Sequence, residues 1–293
     1  KMQCILYRNE GGNMKYKKLN NENSLPMLGF GTWKMEESDE NERLLQQVLD
    51  VGFHYVDTAM MYQNEEMIGN FIVNSGLKRD QLYVSTKIGN DIGTYQQTMD
   101  AIEDSLKKLQ SEYIDLVLIH WPSPKRFRED WKTRNKEVYH ALEELVKQNK
   151  IRSIGISNFV VHHVEALLET ATIIPVINQI ECHPYIVDKK TIDYCAKHGI
   201  STQCYSPLGQ GSVLQDETIT KIAAAHNKTS AQIILNWHFA CDRLVVTNSG
   251  NINHIKQNFD IFGFTLSEDE MNKMNSLSKE DGRILPHPDQ ARF

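Results

Sequence analysis

The sequence predicts an α/β protein built as a single (β/α)8 TIM barrel, and three observations carry that expectation. Short apolar, β-branched runs recur eight times, each followed by a longer stretch with helical spacing, which is the pattern of parallel βαβ units. No Pro/Gly/Ser-rich linker or composition shift divides the 293 residues, a length that suits one such barrel. No phosphate fingerprint of the doubly wound alternative is complete: Gly29-Phe30-Gly31-Thr32-Trp33-Lys34 begins like G-x-G-x-x-G but ends in lysine, and no G-x-x-x-x-G-K-[ST] occurs. Alternation alone leaves the doubly wound sheet open, although a barrel closes naturally on eight strands.

In chain order the expected strands cover 28–33, 53–58, 82–87, 115–120, 153–157, 176–181, 200–205 and 244–248. Helical spacing marks 43–51, 95–109, 137–147, 189–197 and 216–226. Residues 123–133 carry Pro124 and a dense set of charges, and they read as an exposed loop at the C-terminal end of the fourth strand, where a barrel builds its site. Residues 1–13 read as an upstream extension or expression remnant, since Met14 would also serve as a start. The expected domain is therefore 14–293.

A formal net charge of -6 lacks the basic footprint of a nucleic-acid binder. No apolar run approaches the roughly 18 residues of a membrane span, and the brief Cys4-Ile5-Leu6-Tyr7 patch is too short for a signal peptide. The expected setting is the cytosol, as a monomer or small homo-oligomer without nucleic-acid or membrane partners. Five scattered cysteines with no C-x-x-C pair imply reduced thiols rather than a disulfide framework or zinc ribbon.

The informative residues stand where strands end: Asp57, Tyr62 one loop later, Lys87, His120, Ser157 with Asn158, and Gln179. A barrel would converge these groups on one mouth. Each has a plainer explanation, with His120 as a hydrogen-bonded structural residue, Asp57 as a loop cap, Lys87 reaching solvent along its stem and Tyr62 in ordinary packing. Taken together, the plainer explanations would bury charge on neighbouring strands, which is costly unless paired or used. His162-His163 and Cys182-His183 lack metal-ligand spacing, so no metal is expected and they read as surface and loop residues. Glu143-Glu144 reads as a solvent-facing helical pair.

In order, these residues resemble the aldo-keto reductase family from about Met14 to Phe293. The blocks are PMLGFGTWK (26–34), GFHYVDTAMMYQNEEMIG (52–69), DSLKKLQSEYIDLVLIHWP (104–122), KIRSIGISNF (150–159), NQIECHPY (178–185) and YSPLG (205–209). The short loop after His120 and the ending DGRILPHP (281–288) are similar to the compact, microbial-type members such as diketogluconate reductases. The resemblance implies a catalytic tetrad of Asp57, Tyr62, Lys87 and His120. It further implies NAD(P)H-dependent reduction of a small aldehyde or ketone. A phenol of pKa about 10 is a poor acid at neutral pH, so the expected design is a Lys87 ammonium that lowers it. Asp57 would hold Lys87 charged, and His120 would polarise the substrate oxygen.

By the same resemblance, Ser157, Asn158 and Gln179 bind the nicotinamide carboxamide and Tyr205 stacks on the ring. Thr32 and Trp33 line the mouth, and Ser206, Pro207, Leu208 and Gly209 run under the pyrophosphate. Trp33 and Trp121 floor the substrate pocket. One block departs: the family's I-P-K-S and following arginine are replaced by Val246-Thr247-Asn248-Ser249 and His254. Two cations for the 2′-phosphate are thus missing, each worth roughly 1.5–3 kcal/mol. Ser249, Gln257 and Asn258 are left as ribose contacts. NADP(H) is favoured, with NAD(H) or dual use open. The competing functions are a nucleotide-sensing regulatory protein on the same barrel and a lyase or isomerase with Lys87 as a Schiff-base amine.

Overall fold

The computed structural model describes residues 14–293; the proposed leader at 1–13 lies outside the described residues. A short hairpin of β1 (Tyr16–Lys18) and β2 (Ser24–Pro26) precedes eight parallel strands. These are β3 (Leu28–Gly31), β4 (Tyr55–Asp57), β5 (Tyr83–Ile88), β6 (Leu116–Ile119), β7 (Ile154–Ser157), β8 (Ile177–Glu181), β9 (Ser201–Tyr205) and β10 (Leu244–Thr247). They close in sequence order, with β10 pairing β3, so the structure is the barrel and not the doubly wound sheet.

Helices α1 (Asp39–Val51), α2 (Glu65–Asn74), α3 (Tyr95–Lys108), α4 (Trp131–Lys147), α5 (Val161–Leu168), α6 (Lys189–Lys197), α7 (Glu217–His226), α8 (Ser230–Ala240), α9 (Ile252–Phe259) and α10 (Glu268–Asn275) surround it. Local chemistry sets their ends. Ser38 caps α1 by accepting from the Asn41 N–H, Asp39, Glu40 and Glu42 fill the positive first turn, and Gly52 stops it at φ 116°. A Cβ at Gly52 would also stand 2.6 Å from the Phe259 ring, so the turn and the packing both require glycine.

Two helices begin earlier than their apolar spacing indicates. α1 starts at Asp39 rather than 43, because cap and first-turn residues carry no apolar signal. α4 starts at Trp131 rather than 137, which takes the end of the expected 123–133 loop into the helix. Helix α8 has no amphipathic face to read, since residues 232–238 are all buried, and α5 and α9 are only eight residues long.

Side chains alternate between the barrel interior and the helix layer. Tyr55, Leu116, Leu118, Ile177, Leu244 and Val246 fill the interior, closed below by Leu19 and Leu25 from the hairpin and Met27, which joins it to β3. The opposite faces of the strands pack on the helices. Interior packing leaves the C-terminal end of the barrel as the place where polar side chains meet. Glu143 corrects the solvent-facing expectation: it is buried, and Oε1 accepts from the Thr172 and Ile173 N–H groups at 2.6 and 2.8 Å. His163 is likewise buried on α5 rather than at the surface.

Candidate active site

Pairing Asp57 beside Ser85 places β4 and β5 in a register that brings two inward-facing residues, Asp57 and Lys87, together near the mouth. Lys87 Nζ donates to Asp57 Oδ2 at 2.6 Å and to the Thr58 carbonyl at 2.8 Å. Asp57 Oδ1 accepts from Ser85 Oγ at 2.6 Å and Gln179 Nε2 at 3.1 Å. Lys87 is fully buried and Asp57 is 3% exposed, so these bonds compensate a desolvated charge on each side. Burial pulls the Lys87 pKa down, and the Asp57 charge opposes it.

Tyr62, in the short helical turn Met60–Tyr62 after β4, has its ring 5.1 Å from Lys87 Nζ and 5.7 Å, edge to face, from the His120 ring. Its phenol differs from the sequence expectation. Burial, then the Asp57 charge, pushes its pKa up, and the Lys87 ammonium, bonded to Asp57, does not reverse that shift. The proton is therefore held firmly on Tyr62. His120 is held neutral: burial first, then the Lys87 and Arg134 charges, drive its pKa well below the ordinary imidazole range. Its Nδ1 is buried with no hydrogen-bond partner among the described residues.

The neighbouring strands contribute a second polar set. Ser157 Oγ donates to the Gln179 carbonyl at 2.9 Å, Asn158 Nδ2 to the His120 carbonyl at 2.9 Å, and Tyr205 Oη to Asn158 Oδ1 at 2.7 Å. Asn158 sits at φ 64°, a left-handed turn that asparagine tolerates. These groups face a cavity of about 730 Å³ whose lining includes Asp57, Tyr62, His120, Trp33, Trp121 and Asn248. Ser157, Asn158, Gln179, Tyr205, Ser206, Pro207, Leu208 and Ser249 line it too.

Not every expected residue reaches this space. Thr32 is fully buried, with Oγ1 donating to the Asp57 carbonyl at 3.2 Å, so it braces β4 and does not line the mouth. Gly209 lies behind the lining at φ 56°. His254, Gln257 and Asn258 lie on α9 outside the lining, the first two exposed and Asn258 buried. Asn248 is turned across the cavity, its Nδ2 donating to the Trp33 carbonyl at 2.7 Å.

The structure adds residues that sequence reading missed. Ser85 is one; it stands two positions before Lys87 and hence on the same strand face, a signal that was present. Arg134, buried on α4, donates to the carbonyls of Gly89, Ile92 and Trp121 and ties together the loops that follow β5 and β6. Lys34, Met61, Leu285 and Phe293 also line the cavity. Phe293 packs edge to face on Trp121 at 5.0 Å, a contact between distant segments with no local signal.

The residues fit a nicotinamide dinucleotide. The cavity is lined by a polar amide-and-hydroxyl set, Ser157, Asn158 and Gln179, and by the Tyr205–Leu208 segment. Tyr62, His120, Asn158 and Gln179 put polar side chains into that lining, as a polar guest requires. Comparison with known proteins agrees. Residues 27–279 match the Aldo/keto reductase family. The chain is 40% identical over 276 residues to glyoxal reductase of Bacillus subtilis, covering 94% of this chain and 97% of that protein. It is 38% identical over 277 residues to methylglyoxal reductase DkgA of Escherichia coli, covering 93% and 96%. The structure of a Gox0644 variant in complex with NADPH superposes with a TM-score of 0.88 at 34% identity, over 96% of this chain and 99% of that one. The chain belongs to the aldo/keto reductase family, an NAD(P)H-dependent oxidoreductase by fold, sequence and relatives.

Proposed function

We propose that the protein reduces small aldehydes and ketones, with dicarbonyls of the glyoxal and methylglyoxal type as its substrate class, and that Tyr62 gives the proton. The observation that carries the reading is the meeting of Tyr62, the buried Lys87–Asp57 pair and a neutral His120 at one apolar mouth. Relatives named for glyoxal and methylglyoxal support the substrate class.

Carbonyl reduction adds a hydride to carbon and a proton to oxygen. A bound nicotinamide cofactor would supply the hydride. Ser157, Asn158 and Gln179 would orient its carboxamide, with Tyr205 against the ring and Ser206, Pro207 and Leu208 along the pyrophosphate. His120, held neutral, donates a hydrogen bond to the carbonyl oxygen without competing as an acid. Tyr62 keeps its proton until negative charge develops on that oxygen, then transfers it; the Lys87 ammonium offsets the phenolate left behind. Asp57 keeps Lys87 charged and in place. Trp33, Met61, Trp121 and Phe293 keep the mouth apolar, which strengthens each of these interactions.

NADPH is the proposed cofactor, with weakened discrimination against NADH, because Asn248 is neutral and engaged with Trp33 while His254 lies outside the cavity lining. A parallel screen of NADPH and NADH oxidation with glyoxal, methylglyoxal, simple aldehydes and keto sugars tests the assignment. Turnover of dicarbonyls is expected; no oxidation of either cofactor across the panel would reject it.

A further inference from the structure

Behind the active-site wall lies a second cluster of reactive side chains. Cys204 occupies β9 between Gln203 and Tyr205, both of which face the barrel interior, so its own side chain faces the helix layer. Cys182 follows β8 on the adjacent strand, its N–H directed at the Tyr205 carbonyl, and α8 presents His238 to both. Cys182 Sγ, Cys204 Sγ and a His238 ring nitrogen all lie within 4.8 Å of one another, and all three residues are buried. A central ion with metal–sulfur bonds of about 2.3 Å holds its ligands no more than roughly 4.6 Å apart, so a contraction of tenths of an ångström completes the site.

Two further observations point to a ligand. His238 is fully buried, yet among the described residues neither ring nitrogen has a partner of hydrogen-bond geometry. Arg243, 9% exposed, has its guanidinium 3.7 Å from Cys182 Sγ and 4.8 Å from the Trp237 ring. Among the described residues it forms no ion pair with a carboxylate, and Cys182 is the side chain its guanidinium meets in hydrogen-bond geometry. A buried cation without a carboxylate calls for an anionic neighbour.

We propose that Cys182, Cys204 and His238 form a binding site for a soft monovalent metal ion, copper(I), with Arg243 completing the charge balance. Binding replaces the two thiol protons, which are released, and forms two metal–sulfur bonds and one metal–nitrogen bond; no electron is transferred. Two thiolates and one monovalent ion carry a net charge of −1, which the guanidinium cancels. Zinc(II) fits less well, since it would leave Arg243 unbalanced and asks for a fourth ligand in a closed site. The ligands come from three separated segments, so no local motif announces the site. The inference does not depend on the catalytic reading.

The test uses fully reduced protein given copper(I) anaerobically, both folded and during refolding from urea, against a colorimetric copper(I) chelator. One equivalent should be retained, with X-ray absorption showing two sulfur ligands and one nitrogen. Cys204→Ala and His238→Ala, checked for native circular dichroism, should each weaken retention at least about 100-fold, beyond what outer-shell partners are worth. Absence of retention under both loading conditions would overturn the site. So would unchanged retention in folded variants, a different ligand set in the wild-type spectrum, or preferential retention of zinc(II).

Discussion

Asp57 and Lys87 meet at 2.6 Å from adjacent barrel strands, and neither has appreciable contact with water. The pair defines the electrostatics of the mouth: it cancels most of the field that a lone lysine would exert on Tyr62, and it anchors Gln179 and Ser85 through the second carboxylate oxygen.

Breaking that pair from one side should be costly. Asp57→Asn leaves a desolvated ammonium, and a loss of about 3–5 kcal/mol in unfolding free energy is expected. Urea denaturation checks it. The double substitution Asp57→Asn with Lys87→Met should recover much of the loss, whereas a single-variant loss below about 1 kcal/mol would contradict the buried ion pair.

Stability should fall on the acid side of neutrality. His120 and His238 are held well below the ordinary imidazole pKa by burial, and His163 is lowered to about 3. The unfolded chain therefore binds more protons than the folded one once pH drops below about 6.5. The sign follows: stability from these groups is complete above about 6.5 and is lost as pH falls toward their folded values, at up to about 1.4 kcal/mol per pH unit for each. Urea midpoints measured down from neutral pH check the slope, and His120→Asn should make it shallower.

Cofactor preference should respond to restored charge. Asn248→Lys combined with His254→Arg is expected to raise the ratio of kcat/KM for NADPH over NADH at least about 10-fold, the worth of one charge-assisted bond. Steady-state kinetics with both cofactors check it, and an unchanged ratio would place the 2′-phosphate elsewhere.

Glu143 offers a purely structural prediction. Glu143→Leu removes the acceptor of two partly buried backbone N–H groups, so a total loss of about 1–3 kcal/mol is expected while kcat is retained. Parallel unfolding and activity measurements separate the two effects.

The barrel was legible because most strands are short apolar runs, several with a polar residue at the end: Asp57, His120 and Gln179 line the cavity, and Lys87 is bonded to Asp57 outside the lining. Helix starts such as Asp39 and Trp131 were not, because capping and dipole effects, rather than apolar spacing, place them. Helix α8 was hidden by burial on every side. The direction of the Tyr62 shift was also illegible: it depends on whether Lys87 spends its charge on Asp57 or on the phenol, which only distances reveal. Thr32 was misplaced for a similar reason, since a hydroxyl at a mouth can turn inward to a carbonyl.

The most direct test is Tyr62→Phe, assayed with methylglyoxal while NADPH binding is followed separately by fluorescence. Loss of at least about 100-fold in kcat with cofactor affinity unchanged is predicted for removal of the proton donor. Turnover within about threefold of the wild type would contradict it, and with it the role assigned to the mouth.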